Sequence, residues 1–375
     1  MDSGNPPERC AVVVGCGAIG MATALELLRR GWRVAIVAEH GPLDAETCSQ
    51  GAGGLWMPFH VEPVEESAVW AAATLRAFLS ERAEGGPRSG FIELTPALFL
   101  VDRETPKAEL PPWTRLPELH FEVLSREQFE RKQLRASLPE GMWGTWFFET
   151  LVVDAPPYLQ SMLDELRIRG VGVCFGTAFP SLEAAAAAGA TLLPAGSRID
   201  AIVNCTGLSA DSISGHAETM TPGRGVVMRV ERSAEVDAVM LCDVAPFSDE
   251  SPAYCIPRGP GQVTVGGTYI EGDFQTEPTE QELLELREKA SFLYPSLGSS
   301  RIIDIWVGLR PVRPSGVRIE VEALRGSQEG PLVVHNYGHG GGGWTTMYGC
   351  ATVAVDKLEA SLADRGRALR GLAKL

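Results

Sequence analysis

The sequence contains no Cys-x-x-Cys pair, although its 375 residues include Cys10, Cys16, Cys48, Cys174, Cys205, Cys242, Cys255 and Cys350. Most of these thiols sit in apolar, strand-like runs where cysteine behaves as a small hydrophobe, so reduced thiols are expected. Apolar runs long enough to cross a bilayer are also missing, and the opening MDSGNPPER has neither a basic flank nor a hydrophobic segment. No membrane span and no secretory signal are therefore expected, and synthesis in the cytosol follows. Clustered positive charge is scarce: 33 Lys and Arg stand against 48 Asp and Glu, a formal charge of −15. That balance opposes a phosphate backbone and argues against nucleic acid as a partner. No internal repeat is visible. What remains is ordinary globular composition, 45% hydrophobic and 22% charged, in a chain long enough for two or three cores.

Glycine, by contrast, is abundant at 41 residues, and it concentrates in two turns almost a chain length apart: AVVVGCGAIG at 11–20 and VVHNYGHGGGGWTTMYG at 333–349. Each follows a β-branched run and precedes a segment that reads as helix. Each can therefore set bare backbone N–H groups and a helix N-terminus against an anion. Residues 10–39 read as strand, turn, amphipathic helix and strand, with Gly31 closing the helix. A loop rich in small residues follows at 41–60 and suits close backbone approach to a ligand. From 61 to 147 the sequence turns aromatic and proline-punctuated, which suggests a second domain.

The βαβ rhythm returns at 157–170, where Leu159, Met162, Leu163 and Leu166 share a helical face and Gly170 supplies a stop. The alanine tract 184–188 is a good helix former ahead of the strand IDAIVNCTG. Between 222 and 274 the pattern is antiparallel, with a hairpin through RGPG, and Thr279 with Glu282 forms a capping box for the next helix. The strand PLVVHNYG and a long C-terminal helix close the chain.

Gly15, Gly17 and Gly20 have the G-x-G-x-x-G spacing of a dinucleotide turn, and Glu39 ends the next strand where ribose hydroxyls would sit. An acid there favours an unphosphorylated ribose, as in NAD or FAD, although Glu39 also fits a solvated strand end. This fingerprint does not separate nicotinamide from flavin. His335 and His339 could suggest a metal, but two histidines without a nearby carboxylate or cysteine make a poor site, and no metal is expected.

Residues 333–351 resemble the pattern of the D-amino-acid oxidase family: two aliphatics, His335, Asn336, Tyr337, Gly338, Gly340, Gly341, Gly343, Gly349 and Ala351. GCGAIG, AGGLWMP, VNCTG, PGRGVVMRV, SPAYCIP, VTVGG and GLRPVRP resemble the same family in the same order, so the resemblance spans the chain. It implies an α/β fold with a Rossmann-like FAD-binding domain of the glutathione-reductase type, assembled from 1–60, 148–220 and 314–375. An α+β substrate domain with a large mixed or antiparallel sheet would take 61–147 and 221–313.

The resemblance implies non-covalent FAD held by Gly15, Gly17, Ala18, Ile19, Gly20, Glu39, His40, Ser49, Gln50, Gly53, Gly54, Leu55, Thr206, Gly207, Arg310, Gly340, Gly341, Gly342, Gly343, Trp344 and Thr345. Backbone donors at 341–345 would face the flavin N1 and C2 carbonyl region, with Thr345 near O2. Gly342 is smaller and Trp344 larger than in many relatives. Arg310 would grip a substrate carboxylate bidentately, Tyr254 would assist, and the Gly341 carbonyl would accept from the substrate amine. A salt bridge for Arg310 and a core position for Tyr254 are the plainer alternatives.

The implied reaction is oxidative deamination of D-amino acids. Hydride would pass to flavin N5 from a substrate whose amine is neutral, O2 would become hydrogen peroxide, and no residue would need to act as general base. The D-aspartate branch carries arginines where this chain has Leu241 and Tyr269, so neutral or aromatic substrates are expected over acidic ones. D-aspartate oxidase, a flavin-binding protein without turnover, and an NAD-dependent dehydrogenase are the rival readings. Ala373, Lys374 and Leu375 resemble a peroxisomal address and would engage an import receptor, while a frayed helix end is the alternative. A homodimer is compatible with the resemblance.

Overall fold

The run CAVVV becomes β1 (Cys10–Val14), buried along its whole length, as a strand covered on both faces must be. The computed structural model describes residues 8–248, 251–259, 261–324 and 330–372; the Ala373-Lys374-Leu375 tail lies outside them. After β1 come α1 (Ala18–Arg29), β2 (Arg33–Val37), the short α2 (Cys48–Gly51) and α3 (Val64–Glu84). Gly31 turns the chain out of α1 with φ +82°. The proline-punctuated stretch holds β3 (Ile92–Val101), β4 (Glu122–Ser125) and α4 (Arg126–Glu130), then β5 (Gly144–Val153).

The returning βαβ pattern forms α5 (Ala155–Ile168), β6 (Gly172–Cys174), α6 (Leu182–Ala190), β7 (Ile199–Asn204) and α7 (Ala210–Ser214). Leu159, Met162, Leu163 and Leu166 are all buried on α5, and each such side chain contributes about 1.5–3 kcal/mol on transfer from water. The antiparallel stretch supplies β8 (Thr221–Glu231), β9 (Val239–Cys242), β10 (Ala253–Arg258), β11 (Gln262–Gly266) and β12 (Ile270–Glu271). Next comes α8 (Glu280–Leu293), opened by the Thr279 and Glu282 capping box. The chain ends in β13 (Ile302–Val312), β14 (Arg318–Ala323), β15 (Leu332–Tyr337) and α9 (Gly343–Leu372).

Two sheets result. One has six strands in the order β14-β15-β7-β1-β2-β6, parallel except for the β14–β15 pair. Helices α1, α5 and α9 contribute to the core on one face, while Leu182, Ala185 and Ala186 of α6 pack with Val12, Val14 and Val37 on the other. The second sheet runs β12-β8-β11-β10-β9-β3-β5-β4, with β13 paired to β8, and α8 shares its separate core.

The division at 61 and 148 needs correction. Helix α3 packs along α9, with Leu75 and Phe78 in the same core as α1 and α9, so 64–84 lie with the cofactor sheet. Strand β5 crosses position 148 and belongs wholly to the second sheet. Proline and aromatic punctuation marks loops, and it carries no information about which sheet a neighbouring helix covers. All eight cysteines are free. Among the described residues no helix is long and apolar enough to cross a membrane.

Candidate active site

The first glycine turn is built by close backbone approach. Gly15 takes φ +105°, and a Cβ there would overlap the Cys205 carbonyl oxygen. Gly17 is the N-cap of α1 and offers no side-chain cap, so the first turn of the helix keeps donors for a ligand, apart from Ala18 N–H, which donates to Ser49 Oγ at 3.1 Å. Gly20 instead faces the Gly15 carbonyl oxygen, where a Cβ would overlap it. Its role is to seat the helix on the turn.

The second turn follows β15. Gly338 (φ +85°) and Gly340 (φ +50°) carry the reversal into α9. The loop at 59–61 lies across it: a Cβ on Gly341 would fall 2.9 Å from Phe59 O, and one on Gly342 would fall 2.7 Å from Val61 Cβ. Val61 thus fills the space that a larger residue at 342 would need. Trp344 is anchored by its Nε1, which donates to Ser49 O at 3.0 Å.

Both turns line one cleft of ≈ 1110 Å³ between the two sheets. The volume exceeds the roughly 300–1,000 Å³ of ordinary small-molecule sites and leaves room for a dinucleotide and a substrate together. Gly15, Gly17, Ala18, Ile19, Glu39, His40 and Ser49 reach it from the first βαβ unit and the loop behind it. Gly53, Gly54, Leu55, Thr206, Gly207, Gly340, Gly341, Gly343 and Trp344 line it from the remaining cofactor elements, and Arg310, Tyr254 and Leu241 from the second sheet.

Four expected contacts do not line the cleft: Gly20, Gln50, Gly342 and Thr345. Gly20 and Gly342 are consumed by the packing just described. The Thr345 hydroxyl donates to Met57 O at 3.0 Å and accepts from Met57 N–H at 3.3 Å, so it ties the loop to α9. Tyr269 also stands outside the lining, stacked on His60 with ring centroids 4.3 Å apart.

FAD fits this cleft on the chain's own evidence. Two bare-backbone turns stand where side chains would collide, and His339, buried in the wall, has an Nε2 without a hydrogen-bond partner among the described residues. Burial pushes the His339 pKa down to about 3, so a neutral imidazole faces the site. His335, by contrast, does not line the cleft and meets Glu322 and His216 instead. A carboxylate is therefore near one of the two histidines, contrary to the expectation from spacing.

On the opposite wall, Arg310 of β13 pairs across to Gly223 of β8, and its guanidinium rests on Gly225, where a Cβ would overlap Nη1. Nη1 donates to Gly223 O and Thr268 O, both at 3.3 Å, and Cζ lies 5.4 Å from the Tyr269 ring centroid. Tyr254 of β10 pairs with Gly266 of β11, and its phenol lies on that glycine, where a Cβ would overlap Cζ and Oη. Burial raises the Tyr254 pKa, while the charge of Arg310 and a hydrogen bond to it pull the other way. The net shift is upward, so the hydroxyl remains a donor beside a cation, an arrangement suited to a carboxylate. Leu241 is the partner of Tyr254 across β9 and β10 and also lines the cleft.

Three further residues were not legible from motifs. Arg258 Nη1 donates to Ala52 O at 2.7 Å and Arg229 Nη2 to Gly51 O at 3.3 Å, so two buried cations of the second sheet hold the end of α2. Asp154 and Asp304 pair with them, respectively. Burial and the neighbouring Arg229 lower the Arg258 pKa to about 10, which leaves it charged at neutral pH. Trp306 lines the cleft two residues before Gly308 on β13, and its ring fits only because Gly51 and Gly308 have no Cβ. The one available signal was the Gly-x-Arg spacing after Trp306, which places Trp306, Gly308 and Arg310 on one face.

The family described as FAD dependent oxidoreductase has a model that matches residues 11–357. A D-amino-acid oxidase from Rubrobacter xylanophilus is 35% identical over 355 residues, covering 94% of this chain and 96% of its own. A D-aspartate oxidase from Homo sapiens is 28% identical over 352 residues, covering 92% of each. Among solved structures, a glycine oxidase from Bacillus cereus superposes with a TM-score of 0.73 at 17% identity, over 94% of this chain and 96% of its own, a likeness of fold.

Proposed function

Because the chain belongs to the FAD dependent oxidoreductase family and is an FAD-using oxidoreductase of the D-amino-acid oxidase type, we propose that its substrates are neutral D-amino acids and that O2 is the terminal acceptor. The products are a 2-imino acid, which water converts to the 2-oxo acid and ammonia, and hydrogen peroxide. One observation carries this reading: Arg310 and Tyr254 lie side by side on glycines of the second sheet, in the same cleft as Gly341 of the cofactor turn.

In this reading Arg310 and Tyr254 hold the substrate carboxylate, and the Gly341 carbonyl accepts a hydrogen bond from the neutral amine. The flavin, when bound, supplies the two-electron acceptor for the hydrogen on the substrate α-carbon. The protein's part is positioning: three fixed points on the substrate set which hydrogen points toward the cofactor. Burial, which lowers the His339 pKa to about 3, makes it too weak a base, and Tyr254 stays protonated, so neither is poised to remove a proton at neutral pH. Leu241 provides no charge for a distal carboxylate, which supports neutral substrates.

The visible spectrum of the purified protein tests the reading. Anaerobic D-alanine should bleach the flavin bands, whereas L-alanine should leave them unchanged. Persistent colour with D-alanine, or faster turnover of D-aspartate than of D-alanine, would overturn it. We also propose peroxisomal delivery through Ala373-Lys374-Leu375, supported by the resemblance of that tripeptide to the known address. Removing residues 373–375 should abolish import into peroxisomes and leave turnover intact; continued import would refute this.

A further inference from the structure

A second cluster of chemistry-bearing side chains lies outside the cleft, at the β14–β15 edge of the six-stranded sheet. His335 on β15 is registered with Glu320 of the adjacent antiparallel β14, and Glu322 stands two residues along on the same face. His216 arrives from the turn that ends α7, where Gly215 takes φ +66° and His216 N–H donates to Asp211 O at 3.1 Å. Nε2 of His216 and Nε2 of His335 each lie 3.1 Å from the same carboxylate oxygen, Glu322 Oε1. All three ligand atoms fall within 4.8 Å of one another.

Those separations have a chemical meaning. A tetrahedral zinc ion with bonds of about 2.0–2.1 Å keeps neighbouring ligand atoms roughly 3.3–3.4 Å apart. Both histidine-to-carboxylate spacings are already close to that value. The two imidazoles meet edge to face, at 75° with centroids 5.1 Å apart, which lets both nitrogens point at one centre without stacking. We propose that His216 Nε2, His335 Nε2 and a carboxylate oxygen of Glu322 form a three-ligand site for a borderline-soft divalent cation such as zinc, with water completing the shell.

The surroundings set its character. The His335 side chain is fully buried, while His216 and Glu322 are 19% and 35% exposed, so the site is anchored inside and open to solvent on its outer side. Two imidazoles and one carboxylate suit zinc far better than magnesium or calcium. Arg318 Nη2 sits 3.7 Å from the other oxygen, Glu322 Oε2. It orients the carboxylate, and its charge opposes an incoming cation, so the site binds more weakly than the same three ligands would without it. Asn204 Nδ2 lies 3.5 Å from His335 Nδ1, a long contact that is given up when Nε2 binds metal and the ring proton moves to Nδ1. Asn204 Oδ1 accepts from Thr206 N–H and Oγ1, and Thr206 lines the flavin cleft, so Asn204 links the site to the cofactor wall.

The test uses tag-free, flavin-loaded, chelator-treated protein and zinc chloride as the probe, with bound metal measured by equilibrium dialysis. We expect one zinc per chain, a melting temperature that rises with zinc, and no binding of magnesium at the same concentrations. His216→Ala and Glu322→Gln should each weaken zinc binding at least tenfold, with flavin content and metal-free melting retained, because neither side chain is in the core. His120→Ala, on an exposed histidine paired with Glu149, should change nothing. Wild-type protein that binds no zinc, or zinc binding undiminished in both variants, overturns the proposal. A cluster that serves only as a hydrogen-bonded brace would give the first of these results. The outcome is independent of which amino acid is oxidised.

Discussion

Gly266→Ala probes the carboxylate grip without removing a polar atom. Gly266 and Tyr254 are registered partners on β11 and β10, and a methyl group on Gly266 would overlap Cε2, Cζ and Oη of the tyrosine. The strand cannot back away, since β8 pairs along its other edge, and Gly266 is absent from the positive-φ glycines, so alanine carries no backbone penalty there. The phenol must therefore leave its place beside Arg310. A hydrogen bond to a charged group contributes about 1.5–3 kcal/mol. Its loss corresponds to a fall in kcat/KM of roughly 10- to 150-fold, carried mainly by KM if the hydroxyl binds substrate and transition state alike. Steady-state oxygen consumption with D-alanine measures the effect, and the ratio of absorbance at 450 and 280 nm confirms that flavin is retained. Tyr254→Phe should lose a similar factor, and the double variant should be little worse than the weaker single variant, since both remove the same contact. Gly266→Ala within twofold of wild type, or a double variant whose loss is the product of the two singles, would refute the reasoning.

Arg310→Ala should raise KM by orders of magnitude with flavin still bound, because taking one partner from a desolvated ion pair costs about 2–5 kcal/mol; an unchanged KM rejects the assignment. Leu241→Arg should shift the ratio of D-aspartate to D-alanine turnover toward D-aspartate, read by the same oxygen assay. Its failure would mean that Leu241 does not face the distal end of the substrate. Glu282 pairs with buried Arg224, and that hydrogen bond first, with the Arg224 charge, lowers its pKa from 4.5 to about 2. A depressed carboxylate stabilises the folded state above its unfolded pKa and loses that contribution as pH falls through the folded one. Glu282→Gln should thus cost about 1–3 kcal/mol in urea melts at pH 7, with the difference shrinking between pH 4.5 and 2. A cost independent of pH would show that packing, not charge, is responsible.

Much of this was legible because local pattern and tertiary role agreed. CAVVV, the G-x-G-x-x-G turn and the α5 stripe of Leu159, Met162, Leu163 and Leu166 are fixed by periodicity and by glycine, and they fold as they read. Arg310, Tyr254 and Gly341, picked by resemblance, arrive in one cleft from three distant stretches. What the sequence hides shares a cause. A motif fixes the place of Thr345 but not the partner of its hydroxyl, which is Met57, 288 residues away. Sequence neighbours do not reveal the packing of helix α3, which is decided by α9. Arg229 and Arg258 read as ordinary strand charges, and only the fold reveals that both end on carbonyls at the C-terminal end of α2. Likewise no spacing rule links His216, Glu322 and His335, which meet through two adjacent strands and a turn.

The order β14-β15-β7-β1-β2-β6 also governs assembly on the ribosome. The earliest strand synthesised lies in the interior of its sheet, flanked by one that appears near position 200, which in turn awaits β15 at residues 332–337. Closing such distant pairings is slow, and exposed edges invite wrong neighbours meanwhile. A nascent chain therefore holds an unfinished nucleotide platform until β15 has emerged, and flavin capture waits on that strand.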